Sequence, residues 1–455
     1  MDLPAVVREA LAASAPELRV CDAKESPLDS TLRMVLLQDE QGPYQAICRR
    51  RDLLDIVQLN KHLGRDLRLM PLNQQVRIRQ RLGLMRELPA LPTLTGLPTV
   101  VDKAVDALTD VVLDVVEQGL CISLTAAEFR DLSANAERHR FTTPVDEIQV
   151  NLNHPENDRE QLHSALKRFT GLRIQQRLDD TLELPPLPET AQRIIHLRVN
   201  PNAVMGDLVD IVESDPSLAA QVVSWASSSF YAAAGQVKSV HDAVSRVLGF
   251  DLVMNLAMGL ALGRALKQPE DQPEGYVGYW QQAIWQAQSA GVLASMMPRG
   301  QRPAFGLAYL AGLLHNFGYL VLAQVFPPHF KLACRAWEVN PDIDSSVIEQ
   351  HLLGLTREQM GAQLMANWGM PDEIVTAIRQ QKNSLFSGEH DLYPRLLWLG
   401  RQLLTTRGVP LGASEPVSDA VYQSLGLDRA RVDGAFDELV DSKANIMAMA
   451  GMMSN

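Results

Sequence analysis

Residues 310–318 read Leu-Ala-Gly-Leu-Leu-His-Asn-Phe-Gly. Their reading decides the fold of the C-terminal two thirds of the chain. A histidine followed by an aspartate, set in an apolar and Gly-bounded helix, is a metal-binding doublet. Here the second residue is Asn316, which offers one neutral carbonyl oxygen in place of an anion. The surroundings are those of a metal site without the charge that would hold the metal. Between Arg302 and Lys331 there is no charged residue, and 305–326 is long enough to span a bilayer. His315 and Asn316 sit at its centre, and Gly306, Gly312 and Gly318 interrupt it. The stretch therefore reads as a helix buried on all sides of a helical domain, and no membrane association is expected.

Working outward, helix signals recur from Leu182 onward. Asp215-Pro216 supplies an N-cap and a proline at the first helical position. Ser239 caps a helix that stops at Gly249, and Thr356-x-x-Gln359 is a capping box. Pro371-Asp372-Glu373 opens the next helix with acids that suit its dipole. No strand pair is expected after 182, so this part reads as all-α. The tail 386–455 reads as further helices, ending in the Met-rich stretch 446–453, which would pack on the core or on a partner.

The first 135 residues differ. Thr31–Gln38 and Tyr44–Arg49 read as strands around a turn at 39–42. Asp52–Leu63 and Asn73–Leu82 read as helices stopped by Gly64 and Gly83. A loop containing Pro89, Pro92 and Pro98 follows. Asp110–Val116 and Leu120–Leu124 read as a second strand pair across 117–119, and Thr125-x-x-Glu128 as a capping box. The fold class is thus multidomain: an α+β domain over 1–135, a linker and connecting helix over 136–181, an all-α domain over 182–385, and a helical extension over 386–455.

Composition agrees with this division. With 455 residues, two or three cores are expected. Apolar content of 46% and charged content of 21% exclude a disordered chain. A net charge of −12 argues against nonspecific nucleic-acid binding by the whole chain. The four cysteines, Cys21, Cys48, Cys121 and Cys334, form no C-x-x-C pair and read as buried thiols. The N-terminus has early acids and no apolar core, so no signal peptide is expected and the cytoplasm is the expected location. One local asymmetry stands out. Between residues 49 and 86 lie ten cations, Arg49, Arg50, Arg51, Lys61, Arg65, Arg68, Arg77, Arg79, Arg81 and Arg86, against three acids. This is a candidate RNA or docking patch.

The separated motifs Leu184-Pro-Pro-Leu-Pro-Glu189, Glu213-Ser-Asp-Pro-Ser-Leu218, Val240–Gly249, Trp280, Gly312–Gly318 and Gly361–Pro371 together resemble the HD-related output domain (HDOD) family. This is a bacterial signalling branch of the HD phosphohydrolase superfamily. The resemblance implies an all-α domain and, in the enzymes of the superfamily, His and Asp ligands to one or two divalent metals. Aligned on this sequence, those ligand positions fall at Gln282, at His315-Asn316, at Arg357 and at Gln380-Gln381. Only His315 is ligand-like. The resemblance therefore implies a catalytically degenerate interaction module with no resident cofactor, a pseudoenzyme that relays a signal to a protein partner. A metal-dependent phosphohydrolase is the alternative, and only that alternative calls for a divalent metal.

Residues 1–135 resemble, in the order of their elements, the YbaK/prolyl-tRNA-editing type of aminoacyl-tRNA deacylase. The strand ending in Gln38-Asp39, the run Leu53–Leu59, the proline-rich loop, Val100-Val-Asp102 and Gln118-Gly119 carry this likeness. The strand lysine of those enzymes falls at Arg33. The resemblance implies an input or docking module, with tRNA as a possible partner, and a trans-editing deacylase as a further alternative.

Overall fold

The structure, a computed structural model, describes all residues except 1–2, 13–18, 23–28, 85, 116–119, 170–185, 229–230, 232–235 and 454–455. The chain forms two compact units. The first holds 1–149 together with 273–275 and 332–348; the second holds the remaining residues from 150 to 455.

The first unit is built on a mixed sheet. Its strands are β1 (Arg19–Asp22), β2 (Thr31–Asp39), β3 (Gly42–Arg49), β4 (Asp52–Leu54), β5 (Arg68–Leu69), β6 (Thr99–Asp102), β7 (Asp110–Val115), β8 (Leu120–Thr125), β9 (Glu137–His139) and β10 (Thr142–Pro144). The main sheet runs β1-β8-β7-β2-β3-β6-β9, with β5 on β2, and β10 pairs separately with β4. The β2–β7, β3–β6 and β6–β9 pairs are parallel. Period-two alternation divides the side chains between two cores. Leu32, Ile47 and Val101 join one core with α1 (Ala5–Ala12); Val35, Leu37, Ala46, Cys48 and Val100 join the other with α2 (Ile56–Leu63). A sheet covered on both faces explains why its strands read as near-continuous apolar runs. The helices α3 (Leu72–Arg81) and α4 (Ala126–Leu132) complete this unit, and the expected capping box at Thr125 and Glu128 is formed.

Two local expectations are corrected here. Asp52–Leu63 is not one helix: Asp52–Leu54 pairs with β10, and Asp55 then caps α2. The apolar run is short enough to satisfy either period, and pairing with a strand decides it. Cys121 is disulfide-bonded, with Cys21 directly opposite in the β1–β8 register, so the four cysteines are not all thiols. Cys48 and Cys334 are buried thiols. The turn expected at 117–119 lies outside the described residues.

The second unit is helical: α5 (Asp158–Phe169), α6 (Glu189–Arg198), α7 (Met205–Glu213), α8 (Pro216–Ala226), α9 (Val240–Asp242), α10 (Phe250–Gly263), α11 (Tyr279–Met296), α12 (Phe305–Leu314), α13 (Phe317–Val325), α14 (Pro327–Val339), α15 (Ser345–Leu353), α16 (Arg357–Asn367), α17 (Asp372–Gln380), α18 (Leu392–Thr406), α19 (Asp419–Ser424), α20 (Arg429–Asp441) and α21 (Lys443–Met453). The helix capped by Ser239 passes into a wider π turn at Ala243–Leu248 before Gly249. α14 enters the first unit after Lys331, and α15 leaves it after Ile348. Among the described residues, no strand follows β10. The apolar stretch 305–326 is two helices broken at His315-Asn316, and 89% of its most apolar window is buried. In the tail, Ile446, Met449, Ala450 and Met453 are buried within the protein itself.

The segment read as linker and connecting helix is tied down. Asp158 forms a buried ion pair with Arg379 of α17 and accepts from Gln359 Nε2 at 2.7 Å; Arg379 Nη2 also donates to Asn151 O at 2.7 Å.

Candidate functional site

Close helix packing places the His315-Asn316 break. At Gly312 a Cβ would lie 2.4 Å from Ala287 Cα, so α12 rests directly on the α11 backbone. At Gly318 a Cβ would lie 1.8 Å from the carbonyl oxygen of Arg357, so α13 and the start of α16 meet backbone to backbone. The two glycines thus bring α11, α13 and α16 around the break, where any larger residue would hold them apart.

The side chains at the break form one polar network. His315 Nδ1 donates to Gly312 O at 2.7 Å. Since a carbonyl only accepts, Nδ1 carries the proton and Nε2 keeps its lone pair. Burial lowers the His315 pKa to about 4, and the cations Arg357, Lys382 and Arg401 add to this against the bond to Gly312. Asn316 Nδ2 donates to Gln282 Oε1 at 3.0 Å, and Gln282 Nε2 donates to Val277 O at 2.7 Å. Gln381 Nε2 donates to His315 O at 2.6 Å and to Ile378 O at 3.0 Å. Arg357 Nη1 donates to Asn316 Oδ1 at 3.2 Å, and its guanidinium lies 5.6 Å from the Tyr319 ring centroid.

Arg357 is neutralised by Glu349, a carboxylate that sequence reasoning passed over. Arg357 N donates to Glu349 Oε2 at 2.7 Å, and Nε donates to Oε1 at 2.5 Å. Glu349 is fully buried. Burial pushes its carboxyl above the usual range, against the pull of Arg357. Burial also works against the Arg357 charge, but Glu349 and Glu358 outweigh it and raise the guanidinium pKa. The available signal was a lone acid between Ile348 and Leu352-Leu353, eight residues before Arg357.

The residue set does not fit a divalent metal. The Asn316 oxygen that would face it accepts from a guanidinium instead, and Gln282 and Gln381 point amide donors at oxygens. Among the described residues no group of three His, Cys, Asp or Glu side chains could hold a metal. The cation of this site is Arg357.

In the first unit, Arg33 is buried and held by neutral acceptors: Val339 O at 2.8 Å, Asp52 O at 3.1 Å and Asn340 Oδ1 at 2.6 Å. The basic stretch divides into three groups. Arg49 pairs with Asp52, Arg50 with Glu87, Asp114 and Asp342, Arg51 with Asp29 and Asp146, and Arg65 with Asp39. The Arg65 guanidinium lowers the Asp39 pKa to about 2. Arg77, Arg79 and Arg81 lie on α3, none of whose residues is buried. Lys61, Arg68 and Arg86 are not gathered onto that helix.

Comparison with known proteins completes the picture. Residues 184–384 match the HDOD domain family. A crystal structure of a provisionally assigned signal transduction protein from Marinobacter aquaeolei VT8 is 70% identical, covers 100% of both chains and superposes with a TM-score of 0.94. A protein of Treponema pallidum (strain Nichols), itself uncharacterized, is 23% identical over 212 residues, which are 46% of this chain and 39% of that protein. The match to this curated relative thus spans about two fifths of its length. On the N-terminal side, a provisionally assigned trans-editing enzyme for prolyl-tRNA synthetase is 18% identical over 30% of this chain and 95% of that one, with a TM-score of 0.26. The helices around the His315-Asn316 network lie within the stretch matched to the HDOD family. The chain carries an HDOD domain over residues 184–384.

Proposed function

We propose that this is a signal-transduction protein whose HDOD domain is a catalytically degenerate HD module that binds a protein partner. The α+β unit acts as its input or docking module. One observation carries this reading: the Arg357 guanidinium occupies Asn316 Oδ1 and is itself neutralised by buried Glu349. Hydrolysis by an HD enzyme needs a metal to polarise the phosphoryl oxygen and to generate hydroxide. A site already filled by an internal cation supplies neither. The relative from Marinobacter, with its signal-transduction assignment, favours the same reading. The test is metal analysis of gently purified protein, with a phosphodiesterase assay in added Mn²⁺. The expected result is no stoichiometric Fe, Mn or Zn and no turnover. Stoichiometric metal that is lost in His315→Ala overturns the proposal in favour of the phosphohydrolase alternative.

A second reading concerns the α+β unit. Arg33, at the position of the deacylase lysine, is committed to internal carbonyl and amide oxygens, which disfavours a trans-editing activity. Docking of tRNA without chemistry remains supported by the α3 cations Arg77 and Arg81, which are exposed, and Arg79, which is half-buried. Fluorescence anisotropy with labelled tRNA tests it: binding that weakens steeply with salt and is lost on charge reversal of these three arginines is expected. Salt-insensitive binding, or none, removes this reading.

A further inference from the structure

Residues 332–348 belong by sequence to the helical half and by packing to the first unit. Asn340 is their anchor. It is fully buried, and all four of its hydrogen-bonding sites are used. Nδ2 donates to Leu54 O at 3.0 Å and to Ala336 O at 2.9 Å. Oδ1 accepts from Leu54 N at 2.8 Å and from Arg33 Nη2 at 2.6 Å. The Asn340 amide thus pairs with both backbone groups of Leu54, as a neighbouring strand would. Val339 sits in the core beside Cys48 and Leu54, and Asp342 reaches Arg50 at 3.1 Å.

The latched arrangement is incompletely satisfied. Arg33 has only neutral acceptors in contact, although it is buried; its Nε and Asp52 Oδ1 have no hydrogen-bond partner. A buried guanidinium without a carboxylate in contact, and an orphaned buried donor and acceptor beside it, are better met in a second state that water can enter, since water can accept from Arg33 Nε and donate to Asp52 Oδ1. The segment also ends at Ile348, one residue before Glu349, the counter-ion of Arg357. The end of the segment and Glu349 share one helix, α15.

We propose that residues 332–348 are a releasable strap, latched into the first unit by Arg33 and Asn340, whose release shifts Glu349 and so reports the state of the first unit to the His315-Asn316 cluster. The strap itself stands on the contacts above; its signalling role rests on the proposed function. Hydrogen exchange of the full chain, read by mass spectrometry, tests it with Asn340→Ala and Arg33→Lys. Expected is an exchange increase of about tenfold or more over 332–348 in Asn340→Ala, accompanied by 349–357, with 31–49 and 250–263 unchanged. Arg33→Lys keeps the charge but not the fork and gives a smaller rise over the same residues; it carries the test if Asn340→Ala fails to fold. Unchanged exchange over the strap overturns the proposal, as does a rise shared by the whole first unit. A rise over 332–348 that leaves 349–357 unchanged overturns the relay. Metal loading of the protein removes the proposed function without altering strap exchange, so the two failures are distinguishable.

Discussion

Arg357 Nη1 donates to Asn316 Oδ1 at 3.2 Å, so the second residue of the doublet faces a fixed cation from the protein itself. A carboxylate introduced there would meet that guanidinium before any metal. Asn316→Asp is therefore expected to create an ion pair and to leave the protein without stoichiometric metal. Metal analysis after dialysis against Mn²⁺ or Fe²⁺ checks it; one metal per chain in this variant contradicts the account.

Removing the cation exposes its role. Arg357→Met strands a fully buried carboxylate, and breaking a buried pair in this way costs about 3–5 kcal/mol. Arg357→Met combined with Glu349→Gln removes both charges and should recover most of the loss. The pH dependence has a defined sign. Burial pushes the Glu349 carboxyl up and Arg357 pulls it down; without Arg357 the burial is unopposed, so the fold of the single variant prefers the neutral acid. The single variant is then most stable below the ordinary carboxylate range and weakens as pH rises through it. Urea midpoints for both variants across that range measure this.

His315 gives the opposite slope. The folded chain keeps its imidazole neutral down to about 4, while the unfolded chain takes up a proton near the ordinary histidine value of 6.5. Stability is complete above that upper value and falls as pH drops through the window, by at most about 3 kcal/mol given the partial exposure of the ring. His315→Gln should flatten the curve of urea midpoint against pH in this window. An unchanged slope would place the titration elsewhere.

Much of this was legible in the residues. Capping boxes at Thr125 and Thr356, and the glycine stops at Gly64 and Gly83, are local signals, and they fall where the structure has them. His315, Asn316, Gln282, Arg357 and Gln381 lie far apart in the sequence, at positions the family resemblance marks, and the structure links them through hydrogen bonds. What escaped notice depends on long-range partners. Asn340 stands beside Pro341-Asp342 with no local signal of its role, and its partner is Leu54, far away in sequence. Arg49, Arg50, Arg51 and Arg65 read as a basic face because their acids, such as Asp114 and Asp342, come from distant segments. Charge counting along the chain cannot see neutralisation across it.

Two glycines allow a controlled comparison. Gly318→Ala would drive a Cβ into the Arg357 carbonyl, which is backbone and cannot swing away. A helical glycine replaced by alanine normally gains up to about 1 kcal/mol, but overpacking costs about 1–3 kcal/mol or more and wins here. Gly434 of α20 has open space around it, so Gly434→Ala should show the gain alone. Thermal midpoints that move in opposite directions confirm the close approach at Gly318.

The Asp158–Arg379 pair decides how firmly α5 is held. Both side chains are largely buried, and Gln359 and Asn151 complete their hydrogen bonds. Asp158→Ala leaves a buried guanidinium with the Asn151 carbonyl as its remaining acceptor, at a cost of about 3–5 kcal/mol. Arg379→Ala costs a similar amount for the mirror reason, and the double variant should lose far less than the sum. If α5 were only a tether, either single change would leave the unfolding midpoint unmoved and affect only proteolysis near 150–169. A cooperative shift in the midpoint, with strong coupling between the two sites, instead makes α5 an integral helix of the HDOD unit.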